Sequence, residues 1–258
     1  MLIAHLTDTH VLARGGRIAG DLDPARRLGG CIQTIGDLRP QPDAVVITGD
    51  PTDGGREEEY VRLRELLAPL STPCFLIPGN HDTTAPMRRV FADHGYLFAD
   101  QAFMHYTVDE LPVRLIGLDT RLPDQSGGTL CEARLGWLEQ RLTERPHLAT
   151  LLLMHHPPIE VGIPHMDAIG CGNAGALSRI LSKHRQVLHI LCGHVHRMVQ
   201  GGLNGVAITV GPSTSHAIAL DTQGRGGIET VPHPPAFCLL NISDTGATTV
   251  HLEYPSRH

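Results

Sequence analysis

The stretch Leu2-Ile3-Ala4-His5-Leu6-Thr7-Asp8-Thr9-His10 decides the fold: an apolar run of strand length stops abruptly on an aspartate and a histidine. The same grammar returns four times. Asp43-Ala44-Val45-Val46-Ile47-Thr48 leads into Gly49-Asp50, and Cys74-Phe75-Leu76-Ile77-Pro78 into Gly79-Asn80-His81. Ala149-Thr150-Leu151-Leu152-Leu153-Met154 leads into His155, and Val187-Leu188-His189-Ile190-Leu191-Cys192 into Gly193-His194-Val195-His196. Short apolar runs of this kind read as buried strands. In open α/β sheets, ligands gather beyond the carboxyl ends of the strands. Five strand ends therefore point polar, metal-ligating residues at one place.

Working outward, helices are predicted at about 24–38, 56–67, 85–94, 132–142 and 174–184. Asp23-Pro24 is a helix start, a capping carboxylate followed by proline at the first helical position. Strand and helix alternate through the first third, which implies crossover connections and a mostly parallel sheet. Two further strands are expected within 102–119, and β candidates follow at 206–210, 236–240 and 249–254. Two sheets packed face to face between helices accommodate both halves. The expected fold class is α/β, a four-layer α-β-β-α sandwich with two mixed sheets flanked by helices. A single domain over 1–258 is expected, with a lid loop at about 159–173 and a β-rich C-terminal tail at about 232–254.

Composition narrows the function classes. A net charge of -6 and the lack of any Lys/Arg cluster argue against polymeric nucleic acid as a partner. The N-terminus enters a strand at once, so no signal peptide is expected, and no window approaches a membrane-spanning length. A cytoplasmic location and no membrane partner are expected. The cysteines Cys31, Cys74, Cys131, Cys171, Cys192 and Cys238 show no CxxC spacing, which favours reduced thiols.

The candidate ligands are Asp8, His10, Asp50, Asn80, His155, His194 and His196. Carboxylate oxygen, imidazole nitrogen and one amide oxygen suit Fe, Mn, Zn or Co, and no thiol joins them. An oxygen and nitrogen site assembled from distant segments usually leaves coordination positions for water and substrate, which means catalysis. Gly49, Gly79 and Gly193 each precede a ligand, where a missing Cβ permits a sharp turn or a close backbone approach.

The blocks Asp8-Thr9-His10, Gly49-Asp50-Pro51-Thr52-Asp53, Gly79-Asn80-His81-Asp82, His155-His156-Pro157-Pro158 and Gly193-His194-Val195-His196 carry a resemblance. In that order the sequence resembles the calcineurin-like metallophosphoesterases. Within that superfamily it is most similar to class III cyclic nucleotide phosphodiesterases and bacterial glycerophosphodiesterases. The resemblance implies two divalent metal ions: Asp8, His10 and His196 on one, Asn80, His155 and His194 on the other, and Asp50 bridging. It also implies hydrolysis of small phosphodiesters, such as 3',5'-cyclic nucleotides or glycerophosphodiesters, by a metal-bound hydroxide. The same dimetal core would serve a phosphomonoesterase or nucleotidase, and the fold also occurs in non-catalytic interaction proteins.

Beside the ligands, His81 is expected to contact a phosphate oxygen or protonate the leaving alkoxide. Asp82 is expected to hold the His81 ring. His216 matches a substrate-facing position of similar glycerophosphodiesterases, and Asn80 is expected near substrate as well. His156 is read as a support for the site or for the turn at Pro157-Pro158. Asp53 reads as a loop brace, Asp119 as a structural strand-end residue, and the Arg56-Glu57-Glu58-Glu59-Tyr60 run as a solvated helix start. His5, His94, His105, His147, His184, His189 and His251 read as structural or surface residues. In the lid, Met166, Ile169 and Asn173 are expected to meet a base or a glycerol group. Similar phosphodiesterases often form dimers or larger homo-oligomers, and the tail offers edge strands for such pairing. Gly54-Gly55 lacks the cysteine that some similar enzymes carry there, so no interchain disulfide is expected.

Overall fold

The computed structural model describes residues 1–255. The chain begins β1 (Leu2–Leu6), α1 (Pro24–Asp37), β2 (Ala44–Thr48), α2 (Glu57–Leu67), β3 (Cys74–Ile77) and α3 (Thr84–Val90). After a 3-10 turn at Gly95–Phe98 come β4 (Tyr106–Val108), β5 (Arg114–Leu118), β6 (Gly128–Thr129), α4 (Glu132–Glu144) and β7 (Thr150–Met154). Then follow α5 (Pro164–Asp167), β8 (Cys171–Gly172), α6 (Ala174–Lys183), β9 (Val187–Cys192), β10 (Val199–Leu203) and β11 (Val206–Val210). The chain closes with β12 (Ala217–Ile218), β13 (Thr230–Val231), β14 (Phe237–Ile242) and β15 (Thr248–Glu253).

One sheet has the order β15-β14-β1-β2-β3 and the other β10-β11-β9-β7-β5-β4. In the first sheet β1, β2 and β3 run parallel and β14 and β15 add an antiparallel edge; in the second a parallel centre is closed by antiparallel β10 and β4. Both are therefore mixed sheets.

Alternation along the strands explains the layering. On β2, Val45 and Ile47 pack with Leu28 and Ile35 of α1 and with Tyr60 and Leu63 of α2. Ala44 and Val46 pack with Leu151, Leu153 and Leu191 of the opposite sheet. On that sheet's far side, Ile116, Leu152 and Ile190 meet Leu138 of α4 and Leu177 of α6. Strands buried on both faces must be apolar throughout, which is why these runs lack a polar alternation. The result is the four-layer α-β-β-α sandwich.

Local signals account for the helix ends. The Asp23 carboxylate accepts the Arg26 N–H at 3.0 Å, capping α1 ahead of Pro24. Helix α3 stops at Val90, short of the expected 94, and the chain tightens into the 3-10 turn at Gly95. The lid segment is less open than expected. It carries α5, whose Asp167 accepts the N–H groups of Val161 and Gly162, and β8, which pairs with β6. Met166 is buried against the second sheet's core, so it is not free to touch a substrate.

Two buried histidines tie this frame together. His189 on β9 bonds Thr209 at 2.9 Å and, across the sandwich, Thr248 of β15 at 3.1 Å. His105 accepts the Asp119 N–H on Nδ1 at 2.9 Å, and its ring centroid lies 4.8 Å from that of Trp137. Burial pushes both rings down to about 4 from their ordinary 6.5, so the folded state holds them neutral. The unfolded chain takes up their protons more readily. Their contribution to stability is thus full above pH 6.5 and is lost as pH falls through about 4, amounting to about 3 kcal/mol for each ring. Urea unfolding between pH 7 and pH 4 should show this decline. His189→Gln should flatten it, and an unchanged slope in that variant would acquit the ring.

Candidate metal centre

Backbone geometry brings the ligand candidates to one point. Asp8, His10, Asp50, His194 and His196 have positive φ, at 49°, 43°, 47°, 74° and 55°. A non-glycine residue in this region costs about 1–3 kcal/mol and persists only where the surroundings hold it. Aspartate and histidine tolerate it better than bulky or branched residues. Here the chain turns sharply after β1, β2 and β9 and swings the side chains over the sheet edge.

The preceding glycines make room. Gly49 has φ +97°, and a Cβ there would lie 2.2 Å from His155 Nδ1. A Cβ on Gly79 would lie 2.2 Å from Asp50 Oδ1, and one on Gly193 would lie 1.9 Å from Thr7 Oγ1. These are backbone approaches that no other residue allows.

All seven expected ligands converge. His10 Nε2 lies 3.1 Å from His196 Nε2 and 3.7 Å from Asp50 Oδ2. His196 Nε2 lies 3.4 Å from Asp8 Oδ1. On the other side, Asn80 Oδ1 is 3.0 Å from His155 Nε2 and 3.1 Å from His194 Nδ1. Asp50 Oδ2 is 3.3 Å from His155 Nε2, so its carboxylate stands between the two groups. Asp8, Asp50 and His155 are essentially sealed from solvent.

The donor set fits divalent cations for a further reason. His155 Nδ1 lies 2.9 Å from the Thr48 carbonyl, and His196 Nδ1 lies 3.0 Å from the His216 carbonyl. A carbonyl only accepts, so each Nδ1 carries a proton and each Nε2 faces inward, where the neutral ring would offer its lone pair to a cation. His10 Nδ1 is held in the same way by the Asp53 carboxylate at 3.0 Å. Such outer hydrogen bonds fix the tautomer and aim of a metal-ligating imidazole.

The electrostatics agree. Burial pushes the Asp8 carboxyl up to about 6, whereas His155 and His10 hold Asp50 well below the usual carboxylate range despite its burial. Burial opposes a charge on His155, yet Asp50 overrides it and raises the ring to about 9. Burial and the neighbouring His155 press His194 down to about 3. Without cations, protons on the imidazoles must balance the buried carboxylates. Cation binding would displace them.

The surrounding residues divide between expectation and correction. His81 is 41% exposed at its side chain, donates its backbone N–H to Asp50 Oδ1 at 2.9 Å, and sets Nδ1 2.7 Å from the Asp53 carbonyl. Asp82 does not hold that ring. Its buried carboxylate instead accepts from Thr52 Oγ1 at 3.0 Å, Tyr60 Oη at 2.9 Å and the Gly79 N–H at 2.7 Å. The reason is direction: Asp82 follows His81 on a tight turn and points into the protein as the histidine points out. Asp53 does more than brace a loop, since it orients His10. Tyr60 and Glu59 leave the solvated run to which the sequence assigned them, and both are fully buried. Spacing with Leu63 and Leu67 was the available signal for Tyr60.

His216 packs its ring 4.3 Å from that of His196 and 5.3 Å from that of His10, beside the centre. His156 engages Thr120 Oγ1 at 2.7 Å and the Ser126 carbonyl at 3.1 Å, which occupies both nitrogens. It stacks against His155 and His194 as a support. Arg121, which the sequence did not flag, reaches the turn after His81.

A four-layer sandwich whose strand ends present carboxylates, imidazoles and one amide to a common point defines the metallophosphoesterase class. A family model for calcineurin-like phosphoesterase matches residues 1–198, and the chain belongs to that family. Among relatives, it is 36% identical over 256 residues to a probable glycerophosphodiester phosphodiesterase GpdQ of Arcobacter nitrofigilis, covering 98% of this chain and 93% of that one. It is 31% identical over 212 residues to the 3',5'-cyclic adenosine monophosphate phosphodiesterase CpdA of Escherichia coli K12, covering 82% and 75%. A dimetal phosphatase from Danio rerio shares the fold, with a TM-score of 0.69 at 19% identity over 95% of this chain and 93% of that one.

Asp50→Ala removes the carboxylate that faces both groups. Elemental analysis of the purified variant should find at least one divalent ion fewer per chain than the parent. Unchanged metal content would remove Asp50 from its central place.

Proposed function

We propose that this chain is a dinuclear-metal phosphodiesterase acting on small phosphodiesters, such as 3',5'-cyclic nucleotides or glycerophosphodiesters. The observation that carries this reading is the carboxylate of Asp50, set 3.7 Å from His10 Nε2 and 3.3 Å from His155 Nε2, at the seam of two donor groups. Asp8, His10 and His196 would hold one cation, Asn80, His155 and His194 the other, and Asp50 both. When bound, two such cations acidify a water molecule and neutralise charge on the phosphoryl oxygens. Fe, Mn, Zn and Co all suit the donors.

The chain's own residues supply the rest. Asn80 provides a neutral oxygen, which adds no negative charge against the phosphate. His81 is the group free to act on substrate: its Nδ1 proton goes to the Asp53 carbonyl, so in the doubly protonated ring Nε2–H is left to donate to a phosphoryl oxygen or to give its proton to the departing alkoxide. Burial and the nearby His10 push His216 down to about 4, so its ring meets the substrate as a neutral hydrogen-bonding group.

Diester hydrolysis is favoured by the names that the Arcobacter and Escherichia relatives bear, both phosphodiesterases. Among the described residues no helix is long and apolar enough to cross a membrane, and all six cysteines are free. Free thiols accord with work in the cytoplasm.

Turnover of 3',5'-cyclic AMP, a glycerophosphodiester and a phosphate monoester, each with added Mn, Fe, Zn or Co, tests this. At least one diester should exceed the monoester by about 10-fold or more in kcat/KM. A monoester outrunning every diester would replace this reading with a phosphomonoesterase. His81→Ala should keep its metal and lose about 100-fold in kcat; a variant that lost metal instead would make His81 a ligand.

A further inference from the structure

We propose that Arg121 is the positioning residue that aims His81, clamping the His81 turn from the second sheet; the assignment rests on the role given to His81 above. His81 has little holding its own ring. Beyond the Asp53 carbonyl on Nδ1 and an edge contact with the His10 ring at 4.7 Å, its direction depends on where the backbone of residues 79–84 lies. From the first sheet that turn is held through the Asp82 carboxylate, by Thr52, Tyr60 and the Gly79 N–H, and through the Thr83 N–H on Tyr60 Oη at 3.0 Å.

Arg121 supplies the opposing hold. Its side chain is 17% exposed. Nη1 donates to the Asp82 carbonyl at 2.6 Å, and Nη2 donates to the Thr84 hydroxyl. These are the main-chain group directly after His81 and the side chain three positions on. A guanidinium presents its donors in a rigid plane, so two bonds to one turn fix orientation as well as distance.

The arginine is itself fixed. Asp119, at the end of β5 and 3% exposed, accepts from the Arg121 N–H at 3.0 Å and from Nε at 3.3 Å. Asp119 also takes the Met104 N–H at 3.3 Å, and Arg134 Nη2 bonds the Arg121 carbonyl at 2.6 Å. The lever therefore runs from the second sheet to the one residue of the centre that is both exposed and outside the expected ligand set. Asn80, on the same turn, is anchored separately by its neighbours His155 and His194. Loosening Arg121 is expected to shift the His81 ring, while the His81 N–H on Asp50 Oδ1 and the contacts of Asn80 keep the ligand candidates in place. A displacement near 1 Å at a reacting group is enough to cost about 100-fold in rate.

The test uses two diesters with the same retained group, one releasing p-nitrophenolate, which leaves without a proton, and one releasing an alkoxide, which needs one. Arg121→Gln is paired with Asp119→Asn so that no buried carboxylate is left without its cation. The paired variant should retain wild-type metal content and lose about 10-fold more kcat on the alkoxide diester than on the p-nitrophenyl one. Introduced into His81→Ala, the same pair should cause almost no further loss, and Arg121→Lys should recover part of the discrimination in the parent. Equal loss on both diesters, losses that multiply with His81→Ala, or loss of metal would each overturn the assignment. Should the paired variant not fold, Arg121→Lys alone carries the same comparison. If His81→Ala itself fails to distinguish the two diesters, the acid role of His81 falls. The coupling of the two substitutions in kcat still decides the claim for Arg121.

Discussion

Two carboxylates, Asp8 and Asp50, lie buried where the two sheets meet, and the rest of the centre is arranged around that cost. An ion taken from water into a protein interior loses several kcal/mol of solvation unless partners replace it. Backbone N–H groups of His194 and His81 and the imidazoles of His10, His155 and His196 surround these oxygens. Cations would complete the balance, because the Nδ1 bonds to Thr48 and His216 aim Nε2 of those rings inward.

Local strain follows from the same demand. Carboxylates and rings from different strand ends meet only if the chain turns at once after each strand, and five of those residues adopt left-handed backbone to do so. The glycines before Asp50, Asn80 and His194 let the chain pass within contact distance of His155, Asp50 and Thr7. The three apolar layers of the sandwich provide the stiffness that keeps such turns from relaxing. Rigid packing and strained loops are thus paired, with five of the left-handed residues gathered at the rim where chemistry is proposed.

Behind the candidate ligands lies a second tier of polar residues that couples the sheets. Tyr60 and Thr52 reach the Asp82 carboxylate from the first sheet's side, and Arg121 with Asp119 reaches the same turn from the other. A buried network of this kind holds a unique arrangement only when every member is satisfied. Asp82 shows how it differs from an intuitive reading: placed beside His81 in sequence, it belongs to the interior and braces the backbone instead of the ring.

The seven ligand candidates, the strand ends that carry them and the four-layer arrangement were legible in the sequence, because strand-length apolar runs and donor chemistry are local properties. Helix starts such as Asp23-Pro24 were legible for the same reason. What only the tertiary structure decided was direction and reach. Whether Asp82 points at His81 or away from it depends on the turn, whether Met166 meets substrate or core depends on how the lid packs, and whether Arg121 touches the His81 turn depends on how the two sheets pack face to face. Sequence records which groups are available, and long-range packing alone determines which of them face one another.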